Sequence, residues 1–381
     1  MRHITTVFSQ LLSEIPRHLF NKVVERHHGD KREGSMKCWT QFCVILYGQL
    51  SSKRTLRDIC LSWKSQGHLQ YHFGASKAAR STLSDANRSR PSEIYLEVFY
   101  WLLNQVRKTT ITCKDAVRLI DSTTIDLCKQ HFGWATFRSG KAGVKIHTVY
   151  DPNAKVPTFF SITTASKHDK RAAEKMPLLD GATYVFDRAY NDYSWYYSMT
   201  LRDIRFVGRM KTTAKFEVVE VLKASGKGVL KDELIRLSSA KAKKDYPRML
   251  RRICFIREED GKKLSFITND LKRTAEDIAA LYKQRWEIEL FFKWIKQNLK
   301  IKRFVGTNEN AVRIQIIIAM ISYLLLKLVN QKCNSKLSLH QMLTLVAANL
   351  MSRRNIHDLL LQKEPEKPPE INTNQLCLGI C

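Results

Sequence analysis

Two short apolar runs, each followed directly by an aspartate, constrain the fold of this chain more than any other feature. Residues 117–120 (Val-Arg-Leu-Ile) precede Asp121, and residues 184–186 (Tyr-Val-Phe) precede Asp187. Runs of β-branched and aromatic residues favour strands, and a segment of helical character follows the second run at 192–201. Strands alternating with helices predict a mixed α/β sheet with helices on its faces. We expect both aspartates at the ends of buried strands.

The rest of the chain divides into three regions. Residues 1–108 carry apolar side chains at three- and four-residue spacing, which predicts an all-helical N-terminal domain. Residues 331–381 predict a C-terminal helical segment and, from Lys363, a disordered tail. Between them, residues 115–330 contain further strand runs at 144–150, 158–164, 205–207 and 264–268, helices at 275–300 and 311–329, and a β-rich insertion, dense in Lys and Arg, at about 211–263.

Basic residues in the N-terminal region cluster on two short predicted helices at 52–59 and 79–91. Such a pair fits a helix-turn-helix that enters the major groove of DNA. It fits an ordinary basic helical bundle equally well, because the helix-turn-helix has no sharp signature in a single sequence. Both interpretations stay open, and DNA binding is the hypothesis for residues 1–108.

The charge of the chain indicates a polyanionic partner. Lys and Arg number 64 against 36 Asp and Glu, which leaves a net charge of +28. Nucleic acid is the first candidate because neutralised phosphates release counterions. An anionic membrane is the alternative, but the longest apolar run, 314–326, is too short to span a bilayer and lies between Arg313 and Lys327. With no signal peptide and no paired Cys motif among nine cysteines, we expect a cytoplasmic protein without zinc or disulfides.

Four polar residues of the predicted helix 275–300 share one face. Tyr282, Arg285, Glu289 and Lys296 are three, four and seven residues apart, which are helical spacings. An acid between a tyrosine and two cations suits a metal-binding carboxylate flanked by groups that hold phosphate oxygens. A surface helix with ion pairs between neighbouring turns, such as Glu289 with Lys293, fits the same spacing. Spacing alone leaves both open.

The three acids together fit one chemistry. Hydrolysis of a phosphodiester needs an activated water and a stabilised leaving oxygen, which two divalent ions can provide. Magnesium prefers oxygen ligands, so Asp121, Asp187 and Glu289 on separate elements meet the requirement. Taken singly, each aspartate also fits a solvated turn. The weaker candidates are Asp126, Asp192 as a helix N-cap, Glu287 on another side of the helix, His168 and Asp169 as a helix start, and Lys145 and His147 on one strand face, all of which we leave outside the site.

Four ordered motifs make the resemblance to a family specific. Asp121-Ser-Thr, 186–190 (Phe-Asp-Arg-Ala-Tyr), 206–210 (Phe-Val-Gly-Arg-Met) and the Tyr-Arg-Glu-Lys spacing from Tyr282 to Lys296 resemble those of bacterial insertion-sequence transposases with a DDE catalytic domain. The spacing from Tyr282 is similar to that of the insertion sequence 4 family. One departure is Ala189, where the family often has glycine, which puts a tight glycine turn in doubt.

The resemblance implies an α/β protein with a ribonuclease H-like core, a β-rich insertion and a helical N-terminal domain. It also implies two Mg²⁺ (or Mn²⁺) ions on Asp121, Asp187 and Glu289, with Tyr282, Arg285 and Lys296 orienting DNA. The expected function is binding of the element's terminal inverted repeats, cleavage at the ends and joining of 3′-hydroxyls to target DNA. The expected partners are double-stranded DNA and a second copy in the synaptic complex, with no membrane, at the bacterial nucleoid.

Two other functions remain compatible with the sequence. A non-enzymatic DNA-binding regulator, or an inactive remnant of a transposase, requires only the basic surface and the helical domain. A metal-dependent nuclease on the same fold cuts strands without joining them, and the same metals activate water and a 3′-hydroxyl alike. The motifs of serine hydrolases, nucleotide-binding P-loops and zinc hydrolases are absent from the chain.

Overall fold

The computed structural model of the protein describes residues 5–31, 36–51, 53–108, 116–138, 140–257, 259–299, 301 and 303–362. The tail predicted to be disordered from Lys363 lies outside these residues. The described part of the chain begins with helices, continues into one large sheet, and ends with helices.

The described residues before 116 form helices that agree with the apolar spacing of this region. The central helix is α3, whose thirteen residues are all buried. Threonines begin two others: Thr6 and Thr55 each accept a backbone N–H of the first turn, which stabilises the helix start. The helices are α1 (Val7–Ser13), α2 (Arg17–Arg26), α3 (Cys38–Leu50), α4 (Leu56–Ser65), α5 (Arg80–Ser89) and α6 (Glu93–Lys108), with a 3₁₀ helix at Gly67–Phe73.

Ten strands form one mixed sheet. They are β1 (Val117–Leu127), β2 (Thr136–Arg138), β3 (Lys141–Asp151), β4 (Val156–Thr164), β5 (Thr183–Phe186), β6 (Arg205–Arg209), β7 (Phe216–Leu222), β8 (Val229–Leu237), β9 (Leu250–Ile256) and β10 (Lys263–Thr268). The order is β2-β3-β1-β5-β6-β10-β9-β8-β7, and β4 pairs with β3. Strand β1 is antiparallel to β3 and parallel to β5, which is parallel to β6. The β-rich stretch expected at 211–263 therefore continues the same sheet through β9 and β10.

The sheet separates two apolar cores. Leu119 contributes to a large core shared with the helices, and its neighbour Ile120 contributes to a smaller core with Phe186, Tyr196 and Phe206. This division follows from the alternation of side chains along a strand. In the described residues, short α-helices lie between the strands: α7 (Asp169–Ala173), α8 (Tyr193–Leu201) and α9 (Ala240–Asp245).

Helices close the described chain: α10 (Ala275–Gln284), α11 (Trp286–Asn298), α12 (Glu309–Cys333), α13 (Leu339–Asn349) and α14 (Ile356–Leu360). The single helix predicted at 275–300 is interrupted at Arg285, so this prediction was wrong in its continuity. Helix α12 is long and apolar enough to cross a membrane, but 89% of its most apolar window is buried inside the protein. It packs against α3, α5 and α6, as expected for a core helix.

The two ends of the described chain meet in the helical body. The backbone N–H of Phe8 donates to the Leu350 carbonyl at 2.8 Å, and the N–H of Val7 donates to the Ser352 carbonyl at 3.1 Å. Together with α12, these contacts hold the N-terminal helices to the C-terminal ones. The helical layer beside the sheet is thus built from both halves of the sequence.

Candidate active site

The register between β1 and β5 brings two of the predicted acids together. The parallel pairing ends at Ile120 opposite Phe186, and the next residue on each strand is an aspartate, Asp121 and Asp187. Asp121 is not at the end of its strand, contrary to the expectation, because β3 continues to pair with β1 on the other side, with Thr148 opposite Asp121. The two carboxylates lie where β1 loses its β5 neighbour.

The turn after Asp187 resolves the question raised by the alanine in the family motif. Residues Arg188–Tyr190 form one turn of 3₁₀ helix, whose right-handed backbone has negative φ. An L side chain fits this conformation without strain, so glycine is not required at Ala189. The turn is anchored by Tyr190, which is 1% exposed and contacts the Phe186 ring.

The helical face predicted from spacing points at the two aspartates. Arg285, at the junction of α10 and α11, donates from Nη1 to Asp121 Oδ2 at 2.9 Å and from Nη2 to Glu289 Oε1 at 2.6 Å. One turn earlier, the Tyr282 hydroxyl lies 3.4 Å from Asp187 Oδ1. The structure therefore brings Asp121, Asp187 and Glu289 into one site, joined by Tyr282 and Arg285.

The site is partly withdrawn from water, which changes its electrostatics. Burial raises the pKa of Asp121 to about 6, and the neighbouring Glu289 and Asp187 add to the rise, although the Ser122 N–H and Arg285 oppose it. The pKa of Arg285 is also raised, because the acids and Tyr282 outweigh the opposite effect of burial. The three acids are thus close enough to interact electrostatically.

The three carboxylates fit a hard divalent cation as ligands, but the side chain of Arg285 already lies between two of them. Asp121, Asp187 and Glu289 offer only carboxylate oxygens, the ligands that Mg²⁺ and Mn²⁺ prefer. Within the described residues, no group of three His, Cys, Asp or Glu is arranged as a ready cage for a metal ion. The guanidinium of Arg285 lies between Asp121 and Glu289, so these acids can share an ion only when that side chain turns away.

The other candidates fall at different places. Lys296 is half-buried on α11, two turns beyond Glu289. Asp126 is exposed on β1, and Glu287 interacts with Tyr150. The N-cap prediction for Asp192 is confirmed, because its carboxylate accepts the Trp195 N–H at 3.2 Å.

Asp169 begins α7 as predicted, but its contacts differ from the capping role that the sequence favoured. It does not cap α7: its carboxylate accepts the Ser122 hydroxyl at 2.7 Å, pairs with Lys145 Nζ at 3.3 Å, and lies 3.3 Å from His147 Nδ1. The available signal was the alternation of Lys145 and His147 on one face of a strand, where both side chains can bind an acid. The acid lies 24 residues after Lys145, so only the folded chain identifies it.

Three interacting carboxylates beside one arginine, placed where the interior strands β1 and β5 part in a basic protein, fit the class of divalent-metal enzymes that act on nucleic acid. Comparison with known proteins defines the family. Residues 112–325, more than half of the chain, match the model described as "Transposase DDE domain", and residues 3–76 match "Domain of unknown function (DUF4372)". The chain belongs to the DDE transposases of bacterial insertion sequences.

Individual relatives agree with this assignment. The chain is 38% identical over 296 residues, 76% of its length and 81% of the relative's, to "Putative transposase y4zB" of Sinorhizobium fredii (strain NBRC 101917 / NGR234). It is 28% identical over 274 residues, 70% of its length and 72% of the relative's, to "Probable transposase for insertion sequence element IS5377" of Geobacillus stearothermophilus. The protein is therefore a metal-dependent DNA transposase, which confirms the enzymatic interpretation of the sequence.

Proposed function

We propose that this transposase binds the terminal inverted repeats of its own element, hydrolyses a strand at each end, and joins the freed 3′-hydroxyls to target DNA. The observation that carries the proposal is the meeting of Asp121 and Asp187 where β1 and β5 part, with Glu289 joined to Asp121 through Arg285. These three acids would hold two Mg²⁺ or Mn²⁺ ions. When bound, the ions activate the attacking oxygen and stabilise the leaving oxygen.

The strand arrangement supports a ribonuclease H-like core. On one side of the sheet the order is β4-β3-β1-β5-β6, with β4, β3 and β1 successively antiparallel and with β5 and β6 parallel to β1. Strands β7, β8 and β9 then occupy the place of the insertion, between Asp187 and Glu289. Within the bacterial transposases, the spacing from Tyr282 through Arg285 and Glu289 to Lys296 supports membership of the insertion sequence 4 family.

The helix bearing Glu289 is suited to hold DNA next to the acids. A guanidinium forms paired hydrogen bonds to phosphate as readily as to carboxylate, so Arg285 can exchange Asp121 and Glu289 for a DNA phosphate. Before DNA arrives, the same contact offsets the negative charge of both acids. Tyr282 positions Asp187, and Lys296 contributes a further cation for the backbone of the DNA.

We propose that the helical N-terminal domain, residues 1–108, binds the DNA ends of the element. In α4 and α5 and just before α4, the arginines Arg54, Arg57, Arg80 and Arg88 are all exposed, and the two helices contact each other. Exposed arginines on adjacent helices supply phosphate contacts. Synapsis of two ends requires at least two protomers, so we propose a homodimer on DNA, acting in the bacterial cytoplasm at the nucleoid.

The test is a strand-transfer assay with a labelled end duplex and a supercoiled target plasmid. With Mg²⁺, wild type is expected to give nicked ends and joined products, and EDTA is expected to abolish both. Asp187→Asn should lose both products while keeping DNA affinity, whereas the matched variant Asp192→Asn, five residues further on at a helix cap that pairs with Lys170, should retain them. Cutting without joining would favour a nuclease, and binding without cutting would favour a regulator.

A further inference from the structure

A second cluster of polar side chains lies next to the acids but is not part of their set. We call Ser122, Lys145, His147 and Asp169 the Asp169 network. The Asp169 carboxylate accepts the Ser122 hydroxyl at 2.7 Å and faces the Lys145 ammonium and the His147 ring, each at 3.3 Å. The opposite ring nitrogen of His147 lies 3.0 Å from the Thr163 hydroxyl. The network is therefore held by the Ser122–Asp169 and His147–Thr163 hydrogen bonds and the Lys145–Asp169 ion pair, while His147 Nδ1 lies near the Asp169 carboxylate without hydrogen-bond geometry.

The network and the site occupy the two faces of the same strand. Ser122 lies directly opposite His147 in the β1–β3 register, and Lys145 is two residues before His147, so the three side chains share one face. Asp121, the residue before Ser122, points to the other face, toward Arg285. The two faces are connected at one atom pair: the backbone N–H of Ser122 donates to Asp121 Oδ1 at 2.8 Å.

Strand β1 needs a restraint at this position. Its pairing with β5 ends at Ile120, so from Asp121 onward β3 alone holds it among the sheet strands. Helix α7, which begins with Asp169, packs on the turn Arg188–Tyr190 that follows Asp187. Its Lys170 also pairs with Asp192 at the start of α8 at 3.3 Å. Helix α7 thus connects the segments that carry the two catalytic aspartates.

Stability alone does not account for such a network. His147 is fully buried, and the side chains of Lys145 and Asp169 are 15% and 18% exposed. Withdrawing ionic groups from water is costly, and apolar side chains of similar size often stabilise such positions at least as well. The carboxylate nonetheless stays charged: burial acts to raise the pKa of Asp169, but the contacts from His147, Ser122 and Lys145 outweigh burial and lower it.

We infer that Asp169 is a positioning residue for Asp121. By holding the Ser122 hydroxyl on one face of β1, it fixes the Ser122 backbone N–H that orients the Asp121 carboxylate on the other face. The role inferred for Asp169 is to hold Ser122, not to bind the metal or the DNA itself. The inference rests on the proposed role of Asp121 as a metal ligand, and it predicts that loosening Ser122 weakens metal binding without loosening the fold.

The test uses the full-length protein, without DNA, and measures Mn²⁺ affinity by calorimetric titration together with the thermal midpoint. Partners behind metal ligands typically contribute about 10- to 100-fold to affinity or activity. We expect Ser122→Ala and Asp169→Asn each to weaken Mn²⁺ binding by about that factor, and the double variant to be no weaker than the worse single one. Ser122→Thr keeps the hydroxyl and should bind within about threefold of wild type.

Asp192→Asn is the control for α7, because it loses the ion pair with Lys170 but leaves Ser122 untouched, and its Mn²⁺ affinity should match wild type. A wild-type affinity in Ser122→Ala, additive losses in the double variant, or losses that follow the thermal midpoint would overturn the inference. So would equal Mn²⁺ binding by wild type and Asp121→Asn. Because this readout needs no cleavage, a wild type that binds Mn²⁺ through Asp121 but never cuts DNA contradicts the proposed function, while the Ser122 comparison still decides the role of Asp169.

Discussion

Replacing Asp121 by asparagine is expected to stabilise the metal-free protein, although it removes a proposed metal ligand. Burial raises the pKa of Asp121 from an ordinary 3.8 to about 6 in the folded state. An acid whose folded pKa is raised costs stability as pH rises, because folding then requires burial of a charge. Asparagine has nearly the same shape and carries no charge, so the cost disappears.

The size of the stability gain follows from the difference between the folded and unfolded pKa values of Asp121. The folded and unfolded pKa values differ by about two units, and each unit corresponds to about 1.4 kcal/mol. Below pH 3.8 both states are protonated and the variant gains nothing. The gain grows through the window between the two pKa values, reaching about 1–2 kcal/mol at pH 5 and levelling off near 3 kcal/mol by pH 8.

The assay is unfolding by heat and by urea in EDTA at pH 5 and pH 8, followed by tryptophan fluorescence. Asp192→Asn is the matched control with the opposite electrostatics: burial acts to raise the pKa of Asp192, but hydrogen bonds from Ser194 and Trp195, with Lys170, outweigh it and lower the pKa. The substitution Asp192→Asn should lower the free energy of unfolding by a similar amount at pH 5 and at pH 8. If Asp121→Asn is no more stable than wild type at pH 8, or if its advantage shrinks between pH 5 and pH 8, the electrostatic reasoning is wrong.

Three further substitutions and a truncation probe other contacts. In Arg285→Lys, a single ammonium group takes the place of the guanidinium that binds both Asp121 and Glu289. The rate of single-turnover cleavage at saturating DNA should therefore fall about 10- to 100-fold, with little change in the thermal midpoint. Asp232→Ala removes the carboxylate that pairs with the buried guanidinium of Arg251 and should lower the free energy of unfolding by about 3–5 kcal/mol in urea titrations, whereas Asp260→Ala breaks an exposed ion pair and should leave the midpoint unchanged. A protein restricted to residues 116–362 exposes the apolar surface of α12 and should elute as aggregate in size-exclusion chromatography, and a monodisperse fragment would contradict the helical packing.

Local sequence pattern was sufficient for most of the elements around the site. The run at 183–186 is β5 and the segment at 192–201 is α8 with Asp192 as its cap, because strand composition and capping are local properties. The three carboxylates were recognisable for a similar reason. Two follow apolar runs directly, and the third lies at helical spacing from Tyr282 and Arg285.

What the sequence did not reveal depends on partners distant in the chain. Asp121 is followed by Ser-Thr-Thr, which suits a turn as well as a strand, and the pairing with β3 decides for the strand. The helical period runs through Arg285 without a proline or glycine, so nothing local marks the break there. Asp169 resembles a helix start in sequence, and its contacts with Ser122 and Lys145 exist only once β1 and β3 are paired.

The most direct test of the central claim is cleavage of a labelled duplex carrying the element's end, comparing Glu289→Gln with Glu287→Gln. The two glutamates are two residues apart on α11, but only Glu289 contacts Arg285 beside Asp121. With Mn²⁺, wild type and Glu287→Gln should nick the duplex at the end, Glu289→Gln should bind it without nicking, and EDTA should stop all cleavage. Cleavage by Glu289→Gln at the wild-type rate would remove Glu289 from the metal site and contradict the account.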